Sequence, residues 1–395
     1  MIYIGIDVAS EKHDCCFLTD DKQVLLAFTF SNSAEGFRTF YEALTEHTTP
    51  ENRKIGLEAT GIYGNNLQEF MRRKRVEFST INPLLLKHST KATTLRKTKT
   101  DKIDAKTIAL FLQDPRRTYQ PDLPISYHIS ELKSLTRLRS DLVKSCSRSK
   151  NQAKGLLHTL FPEFHRLFSD VFGASGIAVL KRYPSAKSVS RAHTSTLTEL
   201  LKKASRGRFD AARANALKEL AKESIGIDSK AKEVALQICL DTITFFTDKI
   251  KAIENEIKAY MDRINSPITT IPGIGNILGA IILAEIGDVK NFTSPAKLLS
   301  FAGCEPSIYE SGKFKAGSGH MVKHGSSYLR YAIIMAARVA SRSSRTFSIY
   351  MDKKINEGKH YNVASTHCAK KMIRIIYTIL NKNVSFDDNY SVFTT

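Results

Sequence analysis

One short pattern occurs twice in the first sixty residues: Ile4-Gly5-Ile6-Asp7 and Ile55-Gly56-Leu57-Glu58. In a strand, alternate residues share a face, so each glycine lies two positions before an acid on the same side. The glycine leaves that face open where something can approach the carboxylate. The surrounding sequence supplies the rest of a sheet. Alternation predicts further strands over His13–Thr19 and, after an Asp20-Asp21-Lys22 turn, over Val24–Phe30. Asn32 with Glu35 resembles a capping box, ahead of a helix whose stripe is Phe37, Phe40, Tyr41 and Leu44. A helix from Tyr63 to Lys74 turns Leu67, Phe70 and Met71 inward, and a strand from Val76 to Ile81 stops at Asn82-Pro83.

A second pair of acids follows in Lys99-Thr100-Asp101-Lys102-Ile103-Asp104-Ala105-Lys106. On a helix, a three-residue spacing sets Asp101 and Asp104 one turn apart on one face, which Ile108 and Phe111 continue toward a core. Two readings stand here: a metal site that meets phosphate, or a helix start in which Thr100 caps and the acids favour the positive end. Four acids in the order strand, strand, helix pair resemble a ribonuclease-H-like sheet, in which strand-end and helix carboxylates converge on a divalent ion. Lys87, Lys91, Arg96, Lys97, Lys99, Lys102 and Lys106 crowd the approach, either as a solvated loop or, as their place before the acidic pair favours, in contact with a phosphate backbone.

The charge of the whole chain points the same way. A formal net charge of +20 over 395 residues costs self-repulsion unless a polyanion offsets it, and nucleic acid is the usual one. No lipid-anchor motif supports a membrane surface as the partner instead, and the longest apolar run, Ile277 to Ala284, is far too short to span a bilayer. The chain opens directly on a strand pattern without a signal peptide. Its cysteines (Cys15, Cys16, Cys146, Cys239, Cys304 and Cys368) form no CxxC, so neither a zinc site nor a disulfide framework is implied and a reduced, cytoplasmic protein is expected, nucleoid-associated if DNA is the partner. The length implies two or three domains.

After Asp114-Pro115 the pattern becomes helical. Leu132, Leu135, Leu138 and Leu142 recur at helical spacing, followed by Ala153, Leu156, Leu157 and Leu160, with Lys133, Arg137, Arg139, Lys144, Arg148, Lys150 and Lys154 on the exposed side. Residues 169–230 are polar, lysine-rich and weakly periodic, and no function is read from them. From Leu236 to Ile264 two seams repeat every seven residues: Leu236, Ile243, Ile250, Ile257, Ile264 and Cys239, Phe246, Ile253, Tyr260. Such heptads argue for a coiled coil, either between chains or as an antiparallel pair with the helix near 132–160. A continuous seam between two domains suits an oligomer connector, and that is the expectation adopted. Beyond Ser266, Pro272-Gly273-Ile274-Gly275 has the pattern of a helix-hairpin-helix turn, whose backbone N–H groups hold phosphate, or of a plain helix start. A glycine-rich loop runs from Gly303 to Gly319; Lys323 and Arg330 follow it as phosphate clamps or as solvated cations. Residues 360–382 read as a basic helix, and Ser385 to Thr395 as a tail.

Taken together, Ile4 to Asp7, Glu58-Ala59-Thr60-Gly61, Lys99 to Ala105, Pro272 to Gly275, Gly303-x-x-Pro306 with Ser311-Gly312, and Lys323-x-Gly325 with Leu329-Arg330 resemble the DEDD transposases of bacterial insertion sequences. That family includes the Piv-type DNA invertases, and its members are similar to recombinases guided by a structured bridge RNA. The resemblance implies an α/β plus α chain. It has a RuvC-like catalytic domain over 1–120, a helical coiled-coil connector over 121–265, and a mostly helical transposase domain over 266–395. It also implies an Mg²⁺ (or Mn²⁺) site, of two ions, held by Asp7, Glu58, Asp101 and Asp104. Ser311 becomes the nucleophile that forms a covalent phosphoserine link to DNA, with Ser318 in the same loop as the alternative. Arg96, Lys97, Lys99, Lys102, Gly273, Gly275, Lys323 and Arg330 are the expected nucleic-acid contacts. Implied partners are donor and target DNA, a guide RNA and further copies of the chain. The chain departs from the family at Cys304, where an aliphatic residue is usual, and in its length through residues 169–230. Two other readings compete: a metal-dependent RuvC-like nuclease or junction resolvase using water, and a non-catalytic nucleic-acid scaffold.

Overall fold

The computed structural model describes residues 1–58, 63–81, 86, 101–115, 127–305, 310–311, 314–315 and 321–388, with backbone alone at 101–103, 127, 310–311 and 314–315. The chain divides into two compact units, Met1–Pro124 and Ile125–Thr395.

The first unit is built on a mixed sheet of β1 (Ile2–Val8), β2 (Lys12–Leu18), β3 (Val24–Ser31), β4 (Arg53–Glu58) and β5 (Ser79–Ile81). Their order is β3-β2-β1-β4-β5. β1–β2 and β2–β3 are antiparallel, whereas β1–β4 and β4–β5 are parallel. The alternation in β1 decides which helices lie where. Ile4, Ile6 and Val8 face an apolar layer with α1 (Ala34–His47) and α2 (Asn65–Arg73), through Phe37, Phe40, Leu44, Leu67 and Met71. Tyr3 faces the other layer, against Ala105, Ile108, Ala109, Phe111 and Leu112 of α3 (Asp101–Gln113). The cap of α1 differs from the expected Asn32: Ser33 is the N-cap and its Oγ accepts from Gly36 N at 3.2 Å. Asn32 instead donates its side-chain amide to Ser10 O, tying the end of β3 to the β1–β2 turn.

In the second unit the heptad seam finds its partner within the chain, which corrects the expected oligomer contact. α4 (Tyr127–Leu160) and α9 (Lys230–Ile264) form an antiparallel pair. His128 meets Tyr260 at a ring separation of 5.9 Å, Arg139 Nε donates to Glu254 at 2.8 Å, and Cys146 shares an apolar cluster with Ile243. Leu132 is buried, but Leu138 is 50% exposed and lies off the seam. The apparent surplus of cations on α4 is also reduced by pairing: Arg137 and Arg139 are both in ion pairs.

Residues 169–230, unassigned from sequence, are helical and packed. α5 (Ala174–Arg182), α6 (Ala186–Ser190), α7 (Thr194–Ala204) and α8 (Ala211–Lys222) bury Val179, Leu180, Val189, Leu197, Leu201, Leu217 and Ala221 against Phe161 and Phe164. Each helix is too short for a repeating stripe, so periodicity was weak although each buries a few apolar residues.

The other apolar cluster holds α10 (Asn276–Ile286), α11 (Pro295–Phe301), α12 (Ser327–Ser343), α13 (Arg345–Asn356) and α14 (Tyr361–Lys382). The basic helix expected over 360–382 is a core element, burying Ala364, Cys368, Met372, Ile373, Ile376 and Ile379. The tail is fastened as far as Asp388, whose carboxylate accepts from Ser344 Oγ and from Arg345 and Thr346 N, satisfying the first turn of α13. Among the described residues no helix is long and apolar enough to cross a membrane.

Two glycine substitutions test this packing. A Cβ at Gly5 would lie 2.0 Å from Ala105 O and 2.5 Å from Ala109 N, backbone that cannot move aside. Gly5→Ala is expected to destabilise the first unit by on the order of 2–3 kcal/mol in urea unfolding. Gly155, inside α4 with nothing within 4 Å of its added Cβ, gives the opposite sign. Gly155→Ala should stabilise by roughly 0.5–1 kcal/mol in the same measurement.

Candidate active site

β1 and β4 run in register from Ile2↔Arg53 to Ile6↔Leu57. One residue further, the same register sets Asp7 beside Glu58 at the ends of both strands. Neighbouring strands are about 4.8 Å apart, so the two backbones are immediate neighbours. On the opposite flank of β1, Asp14 of β2 pairs with Asp7. Directly paired residues share a face, so Asp14 is a further carboxylate at this edge. It is buried and accepts from Thr29 Oγ1 at 2.6 Å.

The direction of α3 follows from what it touches. Ala105 and Ala109 lie on Gly5, Leu112 lies on Gly56, and Gln113 Nε2 donates to Thr19 O and Asp20 O. Asp20 in turn accepts from the Met1 amine at 2.7 Å, so the end of α3 lies where β1 begins. α3 therefore runs opposite to β1, and its start lies at the edge where Asp7 and Glu58 stand. Two strand residues rise about 6.6 Å and four helix residues about 6 Å, so the backbone of Asp101 is about level with Asp7. Asp104, half-buried, falls between. The donors are all carboxylates, the ligand type of hard cations such as Mg²⁺ and Mn²⁺. Among the residues with described side chains, which exclude Asp101, no three His, Cys, Asp or Glu groups stand close enough together to hold a metal. Arg96, Lys97, Lys99 and the cap Thr100 lie outside the described residues, and Lys102 is described by its backbone alone.

In the second unit, Ser311 lies in the first strand of a two-residue ladder, β6 (Glu310–Ser311) with β7 (Phe314–Lys315). Pro306 and Ser318 lie outside the described residues. The base from which this loop leaves is closed by backbone bonds. Ser326 N donates to Phe301 O at 3.0 Å, Lys323 N to Gly303 O at 3.2 Å, and Val322 N to Glu305 O at 2.9 Å. Gly325, at φ +101°, abuts Phe301 O, and a side chain there would be both strained and blocked. Arg330, expected as a phosphate clamp, spends its Nη1 on Ala302 O at 3.1 Å and Lys323 O at 3.3 Å. It braces the loop base, whereas Lys323 is exposed. Cys304 is buried beneath, and burial pushes its thiol upward from its ordinary value.

The two glycines of the Pro272–Gly275 turn behave differently. Gly273, at φ +87°, lies against α12, where an added Cβ would meet Ala336 O at 2.5 Å, so that side is closed by helix backbone. Gly275 has open space around it and precedes α10 as its N-cap.

Sequence reasoning missed a buried carboxylate here. Glu285, on the otherwise apolar α10, is 4% exposed. Its Oε1 accepts from Arg137 Nε at 2.8 Å, and its Oε2 from Arg137 Nη2 at 3.1 Å and from Ser326 Oγ at 2.8 Å. Burial pushes its carboxyl up, but the bonds from Arg137 and Ser326 and the charges of Lys133 and Arg137 outweigh this and hold it below its ordinary value. A lone glutamate in the apolar run Ile277–Ile286 was the available signal.

Both ends of the chain match known proteins. The family model for DEDD transposases of the IS110 type, described as "Transposase", matches residues 4–162. That described as "Transposase IS116/IS110/IS902 family" matches residues 265–352. The chain is 24% identical to the pilin gene-inverting protein of Moraxella lacunata over 398 residues, 98% of this chain and 97% of that one. It is 26% identical over 286 residues to an uncharacterized 44.8 kDa protein of insertion element IS116 from Streptomyces clavuligerus, 71% of each chain. It is also 28% identical over 175 residues to the transposase for insertion sequence element IS1111A of Coxiella burnetii, 42% of this chain and 47% of that one. The chain belongs to the IS110-type family of insertion-sequence transposases, and is accordingly a DNA recombination enzyme acting on DNA. The family is generally dependent on divalent metal.

The depressed Glu285 carboxyl carries a pH consequence. The unfolded chain takes up this proton near pH 4.5 and the folded chain only at lower pH, so the stabilisation is complete above that value and is lost as pH falls through the folded one. Acid unfolding of the second unit is expected to weaken its pH dependence in Glu285→Gln, measured by circular dichroism between pH 5 and about 3.

Proposed function

We propose that this transposase cuts and exchanges DNA strands through a serine nucleophile, Ser311, together with a divalent ion, Mg²⁺ or Mn²⁺, held by Asp7, Glu58, Asp101 and Asp104. The observation that carries the reading is the common edge of the first unit, where β1 and β4 end and α3 begins. Further support comes from the sheet order, with an antiparallel β3-β2-β1 half and a parallel β1-β4-β5 half, as a RuvC-like sheet has. When bound, the ion supplies positive charge at the scissile phosphate and to the departing oxygen. The Ser311 oxygen attacks phosphorus, the bond from phosphorus to one sugar oxygen breaks, and the hydroxyl proton is passed on to that leaving oxygen. A sugar hydroxyl of the exchanged strand then reverses the step, releasing Ser311 and forming the new phosphodiester. The intermediate is a phosphoserine ester, which conserves the bond energy without a nucleotide cofactor.

Sequence choice is assigned to a structured RNA encoded by the element, paired with donor and target DNA. The excess of 59 Lys and Arg over 39 Asp and Glu, with Arg148 and Lys154 exposed on α4, supports binding to such a polyanion. RNA sequencing of the purified protein should recover a discrete transcript from beside its gene.

Denaturing gels of protein mixed with labelled duplex from the element's ends test the chemistry. The wild type should give a covalent adduct that requires Mg²⁺ or Mn²⁺ and disappears with EDTA. Ser311→Ala should remove the adduct and strand exchange together, while Asp7→Asn should remove cleavage with DNA binding retained. Cleavage that survives in Ser311→Ala but is lost in Asp7→Asn would assign the reaction to water and make the protein a nuclease.

A further inference from the structure

Three elements of the second unit meet at one buried carboxylate. α4 brings Arg137, α10 brings Glu285, and α12 brings Ser326 at its N-cap. The Ser326 hydroxyl is used in both directions: it donates to Glu285 Oε2 at 2.8 Å and accepts from Leu329 N at 3.1 Å. Ser326 also supplies one of the three backbone bonds that close the loop base, its N–H donating to Phe301 O. Two residues on, the Tyr328 ring takes Arg137 at 5.1 Å and Lys144 at 5.3 Å, so α4 grips the start of α12 a second time.

An apolar side chain at 285 would suit α10 as well as its neighbours do, and burying a carboxylate, even one paired with a half-exposed arginine, is seldom more stable than a well-packed apolar replacement. What an apolar residue could not do is accept from Ser326. The arrangement fixes where the returning strand of the loop base ends and where α12 begins. Arg330, one turn into α12, then fastens the outgoing strand through Ala302 O. The result is a chain of direct bonds from α4 to both ends of the segment that carries Ser311.

We propose that Glu285 is a positioning residue for the transposition reaction: held by Arg137, its carboxylate fixes Ser326 and so sets the base of the loop that presents Ser311. The inference rests on Ser311 as nucleophile. Glu285 touches no reacting atom in it and acts only through Ser326 and the loop base.

The test uses the full-length protein with its copurified RNA and a labelled duplex from the element's ends, reading adduct formation at saturating DNA, DNA affinity, and amide hydrogen exchange at residues 301–305 and 321–326. Ser326→Asp keeps an N-cap acceptor for Leu329 N but sets a second carboxylate against Glu285. The adduct-forming rate should fall about a hundredfold, with DNA affinity unchanged and faster exchange confined to the loop base. Ser326→Thr, which keeps the hydroxyl, should restore both. Where Ser326→Asp does not fold, the replacement Arg137→Met with Glu285→Leu and Lys133→Met removes the same bond together with the cations that face the carboxylate, and the same loss of rate is expected. A wild-type rate in either folded variant, or a loss that follows global unfolding with no excess exchange at the loop base, overturns the proposal. An adduct that persists in Ser311→Ala instead overturns the serine reading, and the exchange comparison then decides separately whether Glu285 sets the loop base.

Discussion

The first unit depends on how closely a helix backbone can approach a strand. At Gly5 the main chain of α3 occupies the space a Cβ would need, and at Gly56 the side chains of Ile81 and Leu112 crowd it at 2.8 Å and 3.0 Å. Because the strand bears no side chain at Gly5, the helix settles directly on the pleat there, backbone against backbone. Gln113 at one end, bonded to Thr19 O and Asp20 O, prevents it from sliding. The acids at the other end are located by the same contact. Glycine and acid lie two positions apart on each strand and on one face: the first admits the helix, and the second stands at the edge where that helix begins.

Much of this was legible because the signals are local. Alternation in Ile2–Val8 and Arg53–Glu58 identifies the strands, and the glycines mark the face on which α3 lies. The sequence contains nothing, however, to say that β1 and β4 are adjacent and in register, since that pairing spans the whole of β2, β3 and α1. Nor could it show Asp14 beside Asp7, because Asp14 is one polar residue in a strand of otherwise mixed character. The heptads of α9 gave a true helix and a true seam, but periodicity carries no information on whether the complementary helix belongs to the same chain. His128 against Tyr260 and Arg139 on Glu254 answer that.

The basic residues show a different limit. A count of cations along α4 treats each as available, yet Arg137 and Arg139 are engaged with carboxylates more than a hundred positions away. Arg330 likewise reads as a surface charge beside a glycine-rich loop, and its role as a brace exists only once Ala302 and Lys323 fold around it. Charge in a sequence is therefore a good guide to the class of partner and a poor guide to which side chains meet it. The reverse error applies to Glu285, which looks like an interruption of an apolar run and is the most connected side chain of its helix.

The antiparallel pair of α4 and α9 has one more consequence. Each helix has some 34 or 35 residues, and at 1.5 Å per residue the pair is a strut about 50 Å long. One end is embedded among α5 to α8, the other in the cluster that anchors the serine-bearing loop. A paired strut of this kind resists bending far better than a single helix, so it acts as a ruler within its unit. The outer helices α5 to α8 are thereby held at a set distance from the loop base, a span of about one and a half turns of duplex DNA at 34–36 Å per turn.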